Sequence, residues 1–526
     1  MVVVPDFGEL IGLSRMQFDK TRNLASLPAA AYLFLLGFGL FTFTRRSELV
    51  PTIPATIVVA PIFILRFSRS QPIRRAWVLT FLGFLLSMNV ALWGLFGLTD
   101  DILAVVMNVL RSTLLALMYA LPYFIDRAVT PRLGNRFWVT LVFPVTTTAI
   151  LFLASLEGPF DGAAAKSIYA TGPLSLRQLY SLTGLWGFVF LWSWLAALAN
   201  YVWDRRFSGK PTLLAALAFT VLIGGILIYG TVRLSNSRNF GTARIAAVVL
   251  LPEDGKAISM DVVNQEKRPV PYDETLNRIE MLTAEAASAG AEIVAFQETA
   301  MTVLEEDIDR VRADYARIAT ENELWLSITY AWYADEGKGA NMHLLIDDRG
   351  QIQADYQKRF LLGFGQFGET AVFSKGVEKI QVADSPYGRI AVSICRDMNF
   401  PAYARQAAKS STDIMLTPAY DFPKCTAPFD YARAIECGFS LVRPTYNGVS
   451  YAVDPYGRIL TQVDSDEGGS GITYAEVPTQ GVQTMYARFG DLFAWLNVLS
   501  LSVFAVYSFS QKGPAIAAAV EHGERR

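Results

Sequence analysis

Hydrophobic positions follow two different rhythms along this chain. In the first part they form long unbroken runs: Leu27 to Phe43, Leu49 to Leu65, Trp77 to Gly97, Ile102 to Ile125, Phe137 to Leu156, Leu179 to Val202 and Leu213 to Val232. Each approaches the roughly 20 residues with which a helix crosses a bilayer. One more run extends from Phe489 to Phe509. The pattern predicts a polytopic α-helical membrane bundle of about eight spans. Between Ala243 and Val477 the rhythm shortens. Brief β-branched runs alternate there with amphipathic stretches.

In that middle part, strands are expected at Ile245 to Leu251, Glu292 to Phe296, Leu324 to Trp332, Met342 to Ile346 and Ile352 to Tyr356. Another run ends at Cys395. Further strands are expected at Thr412 to Leu416, Leu441 to Arg443, Gly448 to Val453, Ile459 to Val463 and Ile472 to Val477. A helix is expected from Asp273 to Ser288, with Leu276, Ile279, Leu282 and Ala286 on one face, and another from Leu304 to Thr320. Strands and helices mixed in this way predict an α/β sandwich with mixed sheets. The expected organisation is a seven-span bundle over 1–235, a catalytic-sized domain over 240–482, and a final span with a tail over 487–526.

Basic residues orient the spans. Arg15, Lys20 and Arg22 precede the first. Arg66, Arg69, Arg74 and Arg75, then Arg127, Arg132 and Arg136, then Arg205, Arg206 and Lys210 fall in loops on the same side. Lys512, Arg525 and Arg526 lie in the tail; Arg45 and Arg46 are the dissenting pair. The positive-inside bias puts both termini in the cytoplasm and the middle domain on the periplasmic or extracytoplasmic face. Arg111 interrupts an apolar run. Such a charge marks either a functional position or a cation paired inside the bundle, and the sequence leaves both open. Asn89 and Asn108 read as contacts between helices.

The chain has 526 residues, 52% of them hydrophobic, and a net charge of -2. That balance, with no basic stripe, argues against nucleic acid as a partner. Three cysteines (Cys395, Cys425, Cys437) show no zinc spacing. Cys425 and Cys437 suit either an exported disulfide or, for Cys437, a core position. His343 and His522 are the two histidines, and His522 lies in the polar tail. Scarce histidine turns any chemistry towards lysine and carboxylates.

Three runs end in reactive side chains: Ile293 to Glu298, Ala354 to Lys358, and Val392 to Cys395. If their strands share one sheet, the three groups meet at one edge. A free thiol titrates near 8.5 and needs help to ionise. Glu298 is suited to take its proton. Lys358 is suited to stabilise the thiolate and an oxyanion, with the backbone N–H of Arg396 as a second donor.

Phe296-Gln297-Glu298-Thr299-Ala300, Tyr356-Gln357-Lys358-Arg359-Phe360-Leu361 and Cys395-Arg396-Asp397 with Phe400-Pro401 resemble the motifs of the nitrilase, or carbon–nitrogen hydrolase, superfamily. Ala432 to Glu436, Arg443 to Ser450 and Asp454 to Ile459 resemble its downstream segments. The resemblance implies an αββα sandwich and a Glu298–Lys358–Cys395 triad that uses no metal or cofactor. The layout of spans and domain resembles the apolipoprotein N-acyltransferase family. That implies an acyl chain passing from a phospholipid donor, through a cysteine thioester, to the α-amino group of a diacylglyceryl-modified lipoprotein in a bacterial inner membrane.

The chain departs from that pattern in places. Arg396-Asp397 follows the cysteine where Tyr-Glu is usual, closer to soluble nitrilases. A membrane-tethered amidase or nitrilase using water is therefore the alternative. Gln366 occupies the place of a second glutamate, with Glu369 shortly after it. The Gly363 to Gly368 loop, carrying Phe364 and Phe367, is expected to act as a lid towards lipid.

Overall fold

The computed structural model describes residues 27–94 (without 46 and 48), 102–156, 172–236, 241–250, 272–421 (without 335, 365, 366 and 378), 431–465 and 471–510. Among these, six helices are long and apolar enough to cross a membrane: Ile73–Ala91, Val105–Leu133, Phe137–Ala154, Leu185–Trp203, Gly209–Ser235 and Leu492–Ser510. Leu27–Thr42 and Thr56–Ser70 are shorter apolar helices packed into the same bundle. Leu35, Leu86, Val106, Leu217, Ile228 and Val506 point outward, as a face meeting lipid requires.

Two expected runs shift. The second helix starts at Thr56 rather than Leu49, because Pro51 and Pro54 bar earlier helix. It extends past Leu65 and carries Arg66 to Asp204 and Arg69 to the buried Asp126. The run expected from Leu179 is broken at Gly184 (φ +63), and the continuous helix starts at Leu185. A side chain at Gly184 would strike the Tyr486 ring at 2.5 Å.

One end of the bundle gathers the basic residues. Arg66 pairs with Asp204, Arg69 with Asp126 at 2.8 Å, and Arg205 donates to Asn135. The middle domain meets the other end. Leu185, at the opposite tip of the helix that leads to Asp204, donates its N–H to Glu436 of that domain at 2.8 Å. Arg458 of the domain also reaches the Leu234 carbonyl at 2.8 Å. Asn108 and Asn89 join neighbouring helices at 3.4 Å. Arg111 sits half-buried on Ile102–Leu133.

The middle domain is two sheets face to face. The first runs, edge to edge, Ile472–Pro478, Thr242–Val248, Ile293–Phe296, Trp325–Tyr333, Ala340–Ile346 and Ile352–Gln357; Met301–Leu304 also pairs with Trp325–Tyr333. The second runs Ile459–Asp464, Val449–Val453, Ser440–Arg443, Ile414–Leu416, Gly388–Val392 and Gln381–Ser385. Ile245, Ile293, Leu345 and Ala354 of the first pack against Ile390, Met415, Leu441 and Ala452 of the second. Full burial of each of the larger side chains, such as Ile245, Leu345 and Met415, contributes about 1.5–3 kcal/mol. Tyr272–Ser288 and Ile308–Glu321 cover the first sheet through Leu276, Ile279, Val311 and Ile318. Pro401–Lys409 and Tyr431–Cys437 belong to the second sheet's core.

This arrangement corrects the expectation of a single sheet edge. The strands leading to Glu298 and Lys358 lie in the first sheet, and the strand leading to Cys395 lies in the second. Both sheets have an apolar face to bury, so the reactive ends meet across the sandwich.

Candidate active site

Glu298 lies just beyond the Ile293–Phe296 strand, in a turn where Thr299 adopts φ +56. Thr329, on the neighbouring strand, pins that turn: its hydroxyl donates to the Gln297 carbonyl at 2.6 Å and accepts from Ala300 N–H at 3.1 Å. Gln297 itself accepts the Leu250 N–H at 3.1 Å. The turn aims Glu298 inward, where it is fully buried.

Lys358 directly follows Ile352–Gln357. Its N–H bonds to the Asn341 carbonyl at 2.9 Å, and its own carbonyl accepts Gly376 N–H at 2.9 Å. Its ammonium lies 2.6 Å from Glu298 Oε1 and 2.7 Å from Glu369 Oε1. Asn341 donates to the same Glu298 oxygen at 2.8 Å. Glu369 Oε2 accepts Leu362 N–H at 2.6 Å. One cation therefore sits between two carboxylates in a pocket where Lys358 and Glu298 side chains are only 3% and 2% exposed.

Cys395 arrives from the opposite sheet. Its backbone is left-handed, φ +45, which is rare for a residue with a Cβ. Strain of this kind costs about 1–3 kcal/mol and persists where surrounding structure holds it. Cys395 N–H donates to the Pro418 carbonyl at 2.8 Å, anchoring the turn to the adjoining segment. The thiol is half-buried and lies 3.8 Å from the Tyr420 carbonyl oxygen. Tyr420 also donates its N–H to Glu298 Oε2 at 2.8 Å. One peptide backbone thus joins sulfur and carboxylate.

The electrostatics follow from this burial. Desolvation raises the Cys395 thiol well above its ordinary value; Glu298 adds to the rise, and Lys358 and Arg443 oppose it. Burial also raises Glu298, against the pull of Lys358. Burial alone would depress Lys358, but Glu298, Glu369 and Cys395 hold it well above the ordinary lysine range. At rest the site is a neutral thiol beside a locked ammonium, with a carboxylate of raised basicity suited to proton transfer.

Two neighbours of the cysteine have other employment. Asp397 is buried and accepts from Tyr356 Oη at 2.6 Å, Phe360 N–H at 2.8 Å and Ile394 N–H at 3.0 Å. It shapes the turn, with burial raising it to about 6. The Arg396 guanidinium donates to the Leu361 carbonyl and lies 5.9 Å from the Phe400 ring. Gln366 lies outside the described residues, as do the side chains of Phe364 and Phe367. The backbones of Gly363–Phe364 and Phe367–Gly368 pair as a short antiparallel hairpin. Cys425 is outside the described residues too; Cys437 is buried with a free thiol.

His343 clamps the two sheets. Its Nδ1–H donates to the Ser393 carbonyl at 3.0 Å, so Nε2 accepts from the Ser327 hydroxyl at 2.7 Å. Burial lowers it to about 4, leaving it neutral. Sequence reasoning missed Asn341, Thr329 and Tyr420, which hold Glu298 in place. Nothing in the local pattern distinguishes them from ordinary strand residues.

Residues 262–487 match the family model described as carbon-nitrogen hydrolase. The chain is similar to the apolipoprotein N-acyltransferase of Geobacter metallireducens, at 24% identity over 64% of this chain and 68% of the relative. It is also similar to apolipoprotein N-acyltransferase 2 of Treponema denticola, at 24% identity over 64% of this chain and 70% of the relative. Over a shorter stretch it is similar to the deaminated glutathione amidase of Dictyostelium discoideum, at 30% identity over 28% of this chain and 58% of the relative.

Proposed function

We propose that this protein is a membrane N-acyltransferase acting on lipoproteins, with Glu298, Lys358 and Cys395 as its catalytic residues. The observation that carries this reading is the shared Tyr420 backbone. It places the Cys395 sulfur beside the carboxylate that Lys358 and Asn341 grip from the other side. Similarity to the acyltransferases extends beyond the hydrolase domain, covering 64% of the chain, and supports transfer rather than simple hydrolysis.

Glu298 takes the thiol proton, and the thiolate attacks the ester carbonyl of a phospholipid. The tetrahedral oxyanion forms beside the Lys358 ammonium. The C–O bond breaks, Glu298 returns its proton to the departing alkoxide, and a lysophospholipid leaves. The acyl chain remains as a Cys395 thioester. The α-amino group of a diacylglyceryl-cysteine then attacks, the C–S bond breaks, and the nitrogen's proton passes through Glu298 to the sulfur. Glu369 holds Lys358 from behind. The Gly363–Phe364 and Phe367–Gly368 hairpin serves as the lid.

The bundle's role follows from lipid solubility. Each CH₂ of an acyl chain contributes about 0.8 kcal/mol to staying in the bilayer, so the nucleophile belongs at headgroup level. The arginine-rich end of the bundle faces the cytoplasm, and the sandwich at the other end lies outside, on the periplasmic side of a bacterial inner membrane. In this reading 1–235 and 487–526 anchor a catalytic domain spanning 240–482.

Arg396-Asp397 and the likeness to an amidase favour a second reading, in which water accepts the acyl group. Intact-protein mass after exposure to labelled phospholipid separates the two. An added acyl chain, absent in Cys395→Ala, supports the acyltransferase. Free fatty acid without an adduct or an acylated amine supports the hydrolase.

A further inference from the structure

A transferase of this kind must prefer an amine to water, although water is far more abundant. The residues described so far do not supply that preference. Glu298 and Lys358 serve any nucleophile, and both are sealed from solvent.

A third carboxylate stands beside the sulfur. Asp421 follows Tyr420, whose carbonyl oxygen is 3.8 Å from Cys395 Sγ. Its N–H bonds to the Tyr446 carbonyl at 2.9 Å, which fixes the backbone. Its Oδ1 accepts from Arg443 Nη2 at 2.9 Å. Arg443 is nearly sealed at 5% exposure, whereas the Asp421 side chain is 28% exposed. No donor among the described residues meets Asp421 Oδ2. Gly448 lies alongside, and a Cβ there would come within 2.9 Å of Asp421 Cβ and 3.3 Å of Oδ2. The glycine leaves that side of the carboxylate clear. The result is an oriented, half-open anion next to the nucleophile. Arg443 fixes one oxygen, and the other remains available.

We propose that Asp421 is the specificity residue that receives the acceptor's ammonium group and sets it against the Cys395 thioester. This rests on the acyl-enzyme reading given above. The acceptor arrives as R–NH₃⁺ and binds Asp421 Oδ2 through a charge-assisted hydrogen bond. One proton leaves to solvent, and the freed lone pair attacks the thioester carbonyl. The C–N bond forms and the C–S bond breaks. The second nitrogen proton passes to Glu298 and on to the departing Cys395 thiolate. Water carries no charge and gains nothing comparable from Asp421, so the carboxylate raises the local concentration of amine alone.

The test uses the full-length protein in detergent micelles, acylated at Cys395 by phosphatidylethanolamine. The acyl-enzyme is challenged with two nucleophiles at neutral pH. One is a synthetic diacylglyceryl-cysteine peptide with a free, cationic amino terminus. The other is hydroxylamine, which is largely uncharged there. In Asp421→Asn, acyl-enzyme still accumulates, transfer to the peptide falls about tenfold to a hundredfold, and release by hydroxylamine is unchanged. Asp421→Ser, run beside it, shows the same split, and Asp421→Glu recovers part of the peptide rate. Equal losses with both nucleophiles, or no loss with the peptide, overturn the proposal. A wild-type protein that takes no acyl chain overturns the acyl-enzyme reading itself, which the adduct measurement detects before either nucleophile is added.

Discussion

Replacing Lys358 by Met removes one positive charge and keeps most of the side-chain volume. The native pocket balances one ammonium against two carboxylates, Glu298 and Glu369, at 2.6 and 2.7 Å. Without the ammonium, two buried anions face each other, and one must bind a proton. Glu298, already raised by burial, is well placed to do so. A protonated Glu298 cannot accept the thiol's proton. The variant therefore loses both the base and the cation that stabilises thiolate and oxyanion. Two unit charges about 4 Å apart at an effective permittivity of about 20 interact by about 4 kcal/mol, or about a thousandfold in rate. Loss of general base contributes about a further hundredfold or more. Acyl-enzyme formation in Lys358→Met, followed by intact-protein mass over time, should therefore be slower by at least about a thousandfold. The same change leaves uncompensated buried charge worth about 3–5 kcal/mol of stability. The double variant Lys358→Met/Glu369→Gln should regain much of that stability without regaining rate. Acylation of Lys358→Met within about tenfold of wild type would refute this account of the site.

Two further outcomes follow from local geometry. Cys395 holds φ +45, which glycine adopts without penalty, so Cys395→Gly should unfold at a higher temperature than Cys395→Ala, by the equivalent of about 1 kcal/mol. Equal midpoints in detergent would mean the turn is unstrained. Burial raises Glu436 to about 7 despite its Arg433 partner, so the folded state holds its proton more tightly than the unfolded chain does. The associated stability is full below the ordinary carboxylate range and is lost as pH rises through about 7; Glu436→Gln should abolish that decline, with a ceiling of about 3 kcal/mol. Parallel midpoint-against-pH curves for variant and wild type would sink this.

Much of the fold was legible because lipid and a two-layer core impose strong patterns. The Gly209–Ser235 and Leu492–Ser510 helices are apolar on nearly every face and announce themselves. Strand Gln381–Ser385 was missed because it is an edge strand whose mixed Gln-Val-Ala-Asp-Ser run buries only Ala383. Strand Met301–Leu304 has no counterpart among the expected elements, and its last residue opens the helix expected from Leu304, since the four residues carry no turn signal of their own. Glu298, Lys358 and Cys395 stood out as reactive groups closing apolar runs. Their meeting across two sheets did not, because pairing between distant strands leaves no trace in local periodicity. The same limit hid Asn341 and Tyr420, whose roles come only from what faces them. Arg396 and Asp397 adjoin Cys395 in sequence, and only the backbone N–H of Arg396 is expected to serve the oxyanion. In the fold their side chains turn away, one to the Leu361 carbonyl and one to the Tyr356, Phe360 and Ile394 donors.

The bundle and the cysteine turn are joined by an unbroken polar line. Leu185 N–H, in the first turn of a bundle helix, donates to Glu436 Oε1 at 2.8 Å. That places a carboxylate at the positive end of the helix dipole. Glu436 Oε2 pairs with Arg433, and both side chains are essentially sealed. Arg433 Nε then donates at 3.0 Å to the carbonyl of Met398, which belongs to the Cys395–Asn399 turn. Beside it Tyr486 fills the space left by Gly184, while Asp491 accepts from both Tyr486 Oη and Trp186 Nε1, at 2.8 and 2.9 Å. Apolar packing is non-directional and would let the sandwich slide over the bundle. Hydrogen bonds with fixed angles do not. Burying an ion pair brings little net stability compared with apolar side chains of similar volume, so its value here lies in geometry. In the proposed chemistry, where Cys395 takes a chain lying in lipid, the sulfur's height above the bilayer is a catalytic variable. This line of contacts sets that height from the bundle itself.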